Sequence, residues 1–270
     1  MIFLSIVLVL FVLFLLYLLA LSGRTGHPGL EKLQKFQYAH RGLHKEGVPE
    51  NSMAAFRAAL DHGYGIELDL HLLKDGNLAV IHDHSLLRTA QNDVQIEDLT
   101  TEELSHYRLE GTDETIPTFR QVLELFDGKA PLIVELKATK TNYAQLADAA
   151  ISQLKSYRGA YCVESFDPRC IRSLKQSYPH IIRGQLAQNF VNSKTNAPWF
   201  LKFALTHQLL NFLLQPDFVS YRFEDRKNLG NYFVRKFWKV QGVTWTVRSP
   251  QDHATAIAEG WLPIFENYEP

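Results

Sequence analysis

The stretch Gly65-Ile66-Glu67-Leu68-Asp69-Leu70 places two carboxylates at alternate positions of an otherwise apolar run. Successive side chains of a β-strand face opposite ways, so Glu67 and Asp69 share one side while Ile66, Leu68 and Leu70 share the other. The acidic side is either solvated or faces the interior of a closed barrel, where a hard divalent cation would neutralise it through oxygen ligands. Leu132-Ile133-Val134-Glu135-Leu136-Lys137 repeats the arrangement, with Glu135 and Lys137 on one side at a strand end. Alone it reads as a surface ion pair. Three carboxylates and a lysine at the ends of two core strands point instead to a metal and phosphate site.

Outward from these segments, short apolar runs alternate with stretches of helical period. Strands are expected at 36–39, 65–70, 78–81, 132–136, 161–165, 181–186, 218–221, 243–247 and 262–265, nine candidates in all. Helices are expected at 52–62, 118–126, 143–156, 168–177, 196–214, 226–236 and 250–259. This pattern predicts an α/β fold, a TIM (β/α)8 barrel with its chemistry at the C-terminal strand ends. A doubly wound sheet is disfavoured because no GxGxxG or GxxxxGK[ST] loop is present.

The 28 Lys plus Arg against 29 Asp plus Glu provide no basic field for nucleic acid. The two cysteines, Cys162 and Cys170, lack metal or redox spacing and read as reduced packing residues. Ile2 to Ser22 contains no Asp, Glu, Lys, Arg or His and is long enough for a bilayer-spanning helix. No basic residue precedes it, as a signal peptide would require, so residues 2–22 read as a retained single-pass anchor, 23–35 as a linker and 36–270 as the barrel. Arg24, Lys32 and Lys35 follow the anchor and place the barrel in the cytoplasm by the positive-inside rule.

His40 and His82 stand at strand ends as candidate acid and base groups, and Asp83 is placed to orient an imidazole. Arg41 offers a planar fork for phosphate oxygens. Pro49-Glu50-Asn51-Ser52 precedes an apolar-periodic run, so Asn51 or Ser52 is expected to cap a helix that starts beside the first strand's end. Trp245, on a late strand, walls a pocket or fills the core.

These motifs, H-R-G at 40–42, P-E-N-S at 49–52, I-E-L-D-L at 66–70, K-D-G at 74–76, I-H-D at 81–83, R-T at 88–89, I-P-T-F at 116–119, V-E-L-K at 134–137, E-S-F-D at 164–167 and W-T-V at 245–247, occur in the order seen in a known family. The chain resembles the glycerophosphodiester phosphodiesterases, in a membrane-anchored bacterial form. The resemblance implies a TIM barrel that hydrolyses glycerophosphodiesters to glycerol 3-phosphate and an alcohol. It implies His40 and His82 as the acid and base pair, and Glu67, Asp69 and Glu135 as ligands of one divalent cation, Ca²⁺ or Mg²⁺. Arg41 and Lys137 become phosphate contacts, Glu50 and Asn51 lie beside metal and phosphate, and Trp245 lies near the glycerol or leaving group. The chain departs from the family at its end, reading W-L-P-I-F-E-N-Y-E-P from Trp261 where a Gly-rich strand and T-D-x-P are usual. The short stretch from His84 to Pro117 implies a compact lid.

The anchor makes lysophospholipids a second substrate class, cleaved in the manner of a lysophospholipase D or a phospholipase C. A non-catalytic phosphate-binding membrane protein is a third reading, but no histidine or acidic ligand is lost. The mostly apolar Pro198–Leu214 segment is expected to be a helix packed on the barrel; the other reading is a membrane contact through Trp199, Phe200 and Phe203.

Overall fold

A computed structural model describes residues 2–270. Helices α1 (Ile2–Ala20) and α2 (Leu30–Leu33) precede strand β1 (Tyr38–His40). Then follow α3 (Met53–Asp61), β2 (Gly65–Leu72), β3 (Leu78–Val80), α4 (Leu87–Ala90) and α5 (Phe119–Phe126). The next elements are β4 (Leu132–Leu136), α6 (Tyr143–Leu154), β5 (Tyr161–Ser165), α7 (Pro168–Ser177) and β6 (Arg183–Ala187). The chain finishes with α8 (Trp199–Thr206), α9 (Asn211–Leu214), β7 (Phe218–Arg222), α10 (Leu229–Tyr232), β8 (Gln241–Val247), α11 (Pro250–Ala258) and β9 (Trp261–Phe265).

The strands run β1-β9-β8-β7-β6-β5-β4-β2-β3, and β1 also pairs with β2, which closes a parallel TIM barrel. The surplus ninth candidate is β3, which lies antiparallel on β2 through Leu70↔Val80. The reason is chain length: the five residues 73–77 suffice for a hairpin, whereas a parallel crossover needs a dozen or more. Closure at the atypical end comes from Ala39↔Phe265 and Tyr38↔Ile264.

The alternation of β2 is resolved in favour of an acidic interior. Ile66, Leu68 and Leu70 pack outward with Phe56, Phe119, Val134 and Leu146, between barrel and helices. Inside, Tyr38, Ile133, Cys162, Phe218, Val243 and Ile264 fill the lower half, and Leu33 of α2 joins them as a plug. Tyr38 Oη donates to Leu33 O over 2.8 Å. Gly184 leaves room for the Phe218 ring, since an added Cβ would stand 2.1 Å from it. Both cysteines are buried and unpaired with each other.

Residues 23–35 lie against the lower face of the barrel. Arg24 donates to Asp217 at 2.6 Å from both Nε and Nη2, and Asp217, fully buried, also accepts from Arg183 N at 3.0 Å. Arg24→Ala leaves that carboxylate with a backbone donor only. We expect a loss of about 1.5–3 kcal/mol of stability, the worth of a charged hydrogen bond, measured by chemical denaturation.

Helix α1 is long and apolar enough to cross a bilayer and is almost entirely exposed. Its last turns nevertheless dock on the barrel. Phe14 and Tyr17 meet Phe233 edge to face, Trp238 Nε1 donates to Leu18 O over 2.8 Å, and Leu21 is buried with Val219, Val234 and Val240.

Two helix expectations need correction. The predicted 196–214 helix is broken at residues 207–210 into α8 and α9; Leu209, Leu210 and Leu214 pack on the barrel as expected, whereas the aromatic side chains of α8 do not: Trp199 is 77% exposed, Phe200 62% and Phe203 45%. The opposite face of α8 meets the barrel through Thr206 and Leu205. The predicted 226–236 helix is the short α10 followed by a widened π turn at Phe233–Phe237, where Trp238 N bonds Phe233 O. Between β3 and α5 the chain makes a compact excursion whose own core gathers Leu73, Ile81, Leu86, Ile96, Leu104 and Leu109.

Candidate active site

The upper ends of the strands deliver polar side chains to one pocket. His40, Arg41, Glu67, His82, Glu135 and Trp245 line it together with Glu164, Phe166, Leu186 and Ile264. Asp69 and Lys137 sit behind this surface: Lys137 Nζ lies 2.8 Å from Glu135 Oε1 and 3.1 Å from Asp69 Oδ1. Arg41 Nη1 donates to Glu50 Oε1 at 2.9 Å, and its backbone N–H to Glu67 Oε2 at 3.2 Å. Every residue singled out in the sequence is therefore brought to the same end of the barrel.

Asn51 does not cap α3. Ser52 does, accepting from Ala55 N at 3.1 Å, while Asn51 Nδ2 donates to Asp69 Oδ2 at 2.8 Å. The backbone of Asn51 is left-handed, with φ 53°, a conformation that asparagine tolerates and that turns it away from the cap. Its role is to hold an acidic side chain in place.

Each histidine is oriented by a carboxylate that is itself held by an arginine. His40 Nδ1–H donates to Glu266 Oε1 over 2.7 Å, and Arg248 Nε reaches Glu266 Oε2 at 2.7 Å. His82 Nδ1–H donates to Asp83 Oδ1 over 2.6 Å, and Arg88 Nε reaches Asp83 Oδ2 at 2.5 Å. The arrangement points Nε2 of each ring away from its carboxylate, where it accepts a proton in the neutral ring and donates one in the imidazolium. Arg88 also binds Glu50 Oε1 at 2.5 Å, so Glu50 is shared between Arg41 and Arg88.

Glu266 and Glu164 are the residues that sequence reasoning did not assign. Glu266 lies just past β9, in the segment where the family pattern fails, so no motif marked it. Glu164 could have been found from the alternation of Tyr161-Cys162-Val163-Glu164, which places it level with Glu135 across β4 and β5.

The electrostatics of the cluster suit a cation. One ligand atom each from Glu67, Asp69 and Glu135 lies within 4.8 Å of the others, and all three residues are buried. Burial pushes Glu67 well above the usual carboxylate range, and the Asp69 and Glu135 charges push it further. Burial likewise raises Glu135, although Lys137 opposes it, and raises Glu164 beside Glu135. Burial would raise Asp69 too, but Lys137, His82 and Arg41 hold it below the ordinary value. This crowd of buried carboxylates exceeds what Lys137 and Arg41 can balance, and a hard divalent ion with oxygen ligands relieves the excess. Burial lowers His40 to about 4 even though Glu266 works against the shift.

A closed parallel barrel with a buried carboxylate cluster and two oriented histidines at its mouth has the make-up of a metal-assisted hydrolase. The family model for the glycerophosphoryl diester phosphodiesterase family matches residues 40–268, and the chain belongs to that family. It is 36% identical over 160 residues to a glycerophosphodiester phosphodiesterase of Caldanaerobacter subterraneus, covering 56% of this chain and 65% of that one. It is also 36% identical over 166 residues to one from Bacillus altitudinis, covering 57% of this chain and 67% of the relative. The chain thus spans about two thirds of the length of these curated relatives. Its fold is that of an Oleispira antarctica phosphodiesterase solved with the product sn-glycerol-3-phosphate, with a TM-score of 0.72, 21% identity, and coverage of 91% of this chain and 96% of that chain.

Proposed function

We propose that the protein hydrolyses glycerophosphodiesters to glycerol 3-phosphate and an alcohol. The observation that carries this reading is the pair of carboxylate-oriented histidines, His40 and His82, lining one pocket with Glu67 and Glu135. Glu67, Asp69 and Glu135 would hold one divalent ion, Ca²⁺ or Mg²⁺, and it would supply positive charge to the phosphate. Arg41 and Lys137 neutralise the remaining phosphate charge. His40, kept neutral by burial, accepts the proton of the nucleophile, either water or the glycerol 2-hydroxyl, the latter giving a cyclic phosphate that water then opens to glycerol 3-phosphate. His82 protonates the departing alcohol. Asn51 and Glu50 fix Asp69 and Arg41, and Trp245 walls the glycerol side.

A lysophospholipid is the second substrate class, favoured by the aromatic rings that lead out of the pocket. Trp245 meets Phe166 at 5.4 Å and Phe166 meets Phe190 at 6.1 Å, and Phe190 N donates to Thr206 Oγ1 of α8 at 2.9 Å, the helix whose other face is exposed and apolar. In this reading α1 crosses the membrane once with its last turns and residues 21–22 against the barrel, the barrel lies on the cytoplasmic side, and α8 touches lipid.

The test incubates the full chain with glycerophosphodiesters and lysophospholipids, with and without chelator, and identifies the products by mass. Chelator-sensitive release of glycerol 3-phosphate supports the main reading, and release of lysophosphatidate the second. Absence of turnover by folded, metal-loaded protein in vesicles overturns both. In the lysolipid case, a Trp199→Glu, Phe203→Glu variant should lose about tenfold or more of its turnover of vesicle-borne lysolipid, because charge is introduced into an interfacial apolar face. Its turnover of soluble glycerophosphocholine should hold, and equal losses on both substrates would remove α8 from lipid contact.

A further inference from the structure

The excursion beyond β2 carries a second set of ligand-type side chains that the hydrolysis does not use. His71 of β2 is fully buried, and its Nδ1 lies 2.8 Å from Glu97 Oε1. His84 Nδ1 lies 2.5 Å from the same oxygen, and the two rings stand edge to face with centroids 4.7 Å apart. One ligand atom from each of the three residues lies within 4.8 Å of the others.

The hydrogen-bond inventory makes this more than a contact between neighbours. His71 Nε2 lies 3.2 Å from the carbonyl oxygen of His82. A carbonyl only accepts, so Nε2 carries the hydrogen, and in the neutral ring Nδ1 then presents a lone pair. That lone pair faces a carboxylate oxygen, which also only accepts, and a second imidazole converges on the same atom. A cation among the three atoms removes the conflict, as a second proton on His71 would. A metal-bound histidine characteristically donates its other ring N–H to a backbone carbonyl, as His71 does here.

The geometry points to a transition-metal site formed by His71 Nδ1, His84 Nδ1 and Glu97 Oε1, suited to Zn²⁺. Two imidazoles and one carboxylate distinguish it from the all-carboxylate cluster, which suits Ca²⁺ or Mg²⁺. His84 is exposed, so a fourth position opens to solvent, as in zinc sites with three protein ligands. Ligand atoms around tetrahedral Zn²⁺ stand about 3.3 Å apart at Zn–N distances of about 2.0 Å, so the Glu97 oxygen moves away from the two nitrogens by about 0.5 and 0.8 Å on binding. The site does not depend on the phosphodiesterase reading. Its consequence for the pocket is positional: the carbonyl bonded to His71 belongs to His82, so the ion braces the backbone that presents that imidazole.

The test uses the full chain in detergent with excess Mg²⁺ throughout to occupy the carboxylate cluster. Co²⁺ is titrated as a coloured probe and displaced with Zn²⁺. We expect one equivalent of Co²⁺ with the intense visible absorption of a four-coordinate, nitrogen-ligated ion. His84→Ala, which removes an exposed ligand and leaves the core intact, should abolish it or weaken it by at least about tenfold, as should Glu97→Gln. Glu135→Gln and His44→Ala should retain it. The proposal is overturned if the wild type binds no Co²⁺, if His84→Ala binds it undiminished, or if His44→Ala loses it, which would place the ion at His40, His44 and Glu266.

Discussion

Replacing His40 with alanine should lower kcat/KM for a glycerophosphodiester by about 10²–10⁴-fold, the range expected for removing a general acid or base. The fold should survive, because the ring sits at the barrel mouth, and Arg248 and His44 remain to receive Glu266. Glu266→Gln should fall between wild type and His40→Ala, since glutamine still accepts from Nδ1–H but lacks the charge that steadies the imidazolium. The pH profile separates this account from simple loss of packing. Glu266 raises the pKa of His40 against the larger effect of burial, so its removal should move the acid limb of kcat/KM to lower pH. An upward move, or near-normal turnover by His40→Ala, would remove His40 from the proposed mechanism.

Glu67→Gln should abolish hydrolysis to a similar degree and at the same time stabilise the metal-free protein, by about 1–4 kcal/mol at neutral pH. Burial and the neighbouring carboxylates hold the folded pKa of Glu67 above its unfolded value of about 4.3. The unfolded chain therefore loses its proton first as pH rises, and the metal-free wild type loses stability through the window from about 4.3 up to the raised folded value. Glutamine mimics the protonated acid and removes that slope. Added cation should raise Tm strongly in the wild type, by relieving the repulsion and by mass action, and much less in the variant. Thermal unfolding with chelator and with saturating cation, across pH, reads all three effects. A metal-free Glu67→Gln protein less stable than the metal-free wild type would refute the charge-crowding account.

The fold was legible where side-chain alternation and chain length act together. Strands 132–136 and 161–165 and helix 168–177 agree with β4, β5 and α7 to the residue, because each is a short apolar or amphipathic run between clear breakers. The identity of the surplus strand was not drawn from the pattern, although the short span between Leu72 and Leu78 decides it physically. In the site, β2 and β4 could be read from period two once the two strands were taken together. Asn51 could not, because a left-handed backbone redirects a residue whose local chemistry favours capping. Glu266 was hidden for a different reason: its partner His40 is 226 residues away, and no local pattern reports a contact of that span. The 196–214 segment misled because apolar composition indicates a dry environment without saying whether protein or lipid supplies it.

The joining of β1 to β9 has a consequence for how the molecule comes into being. His40 emerges early in synthesis, yet the carboxylate that orients it follows the strand that closes the ring, so the two groups meet only after the longest loop in the domain has been closed. Contacts of such separation form late and slowly, since chain entropy must be lost before they contribute. A nascent chain, or one clipped before residue 266, can bury much of its core and still lack an oriented histidine at the mouth. Competence for chemistry is thereby tied to completion of the ring.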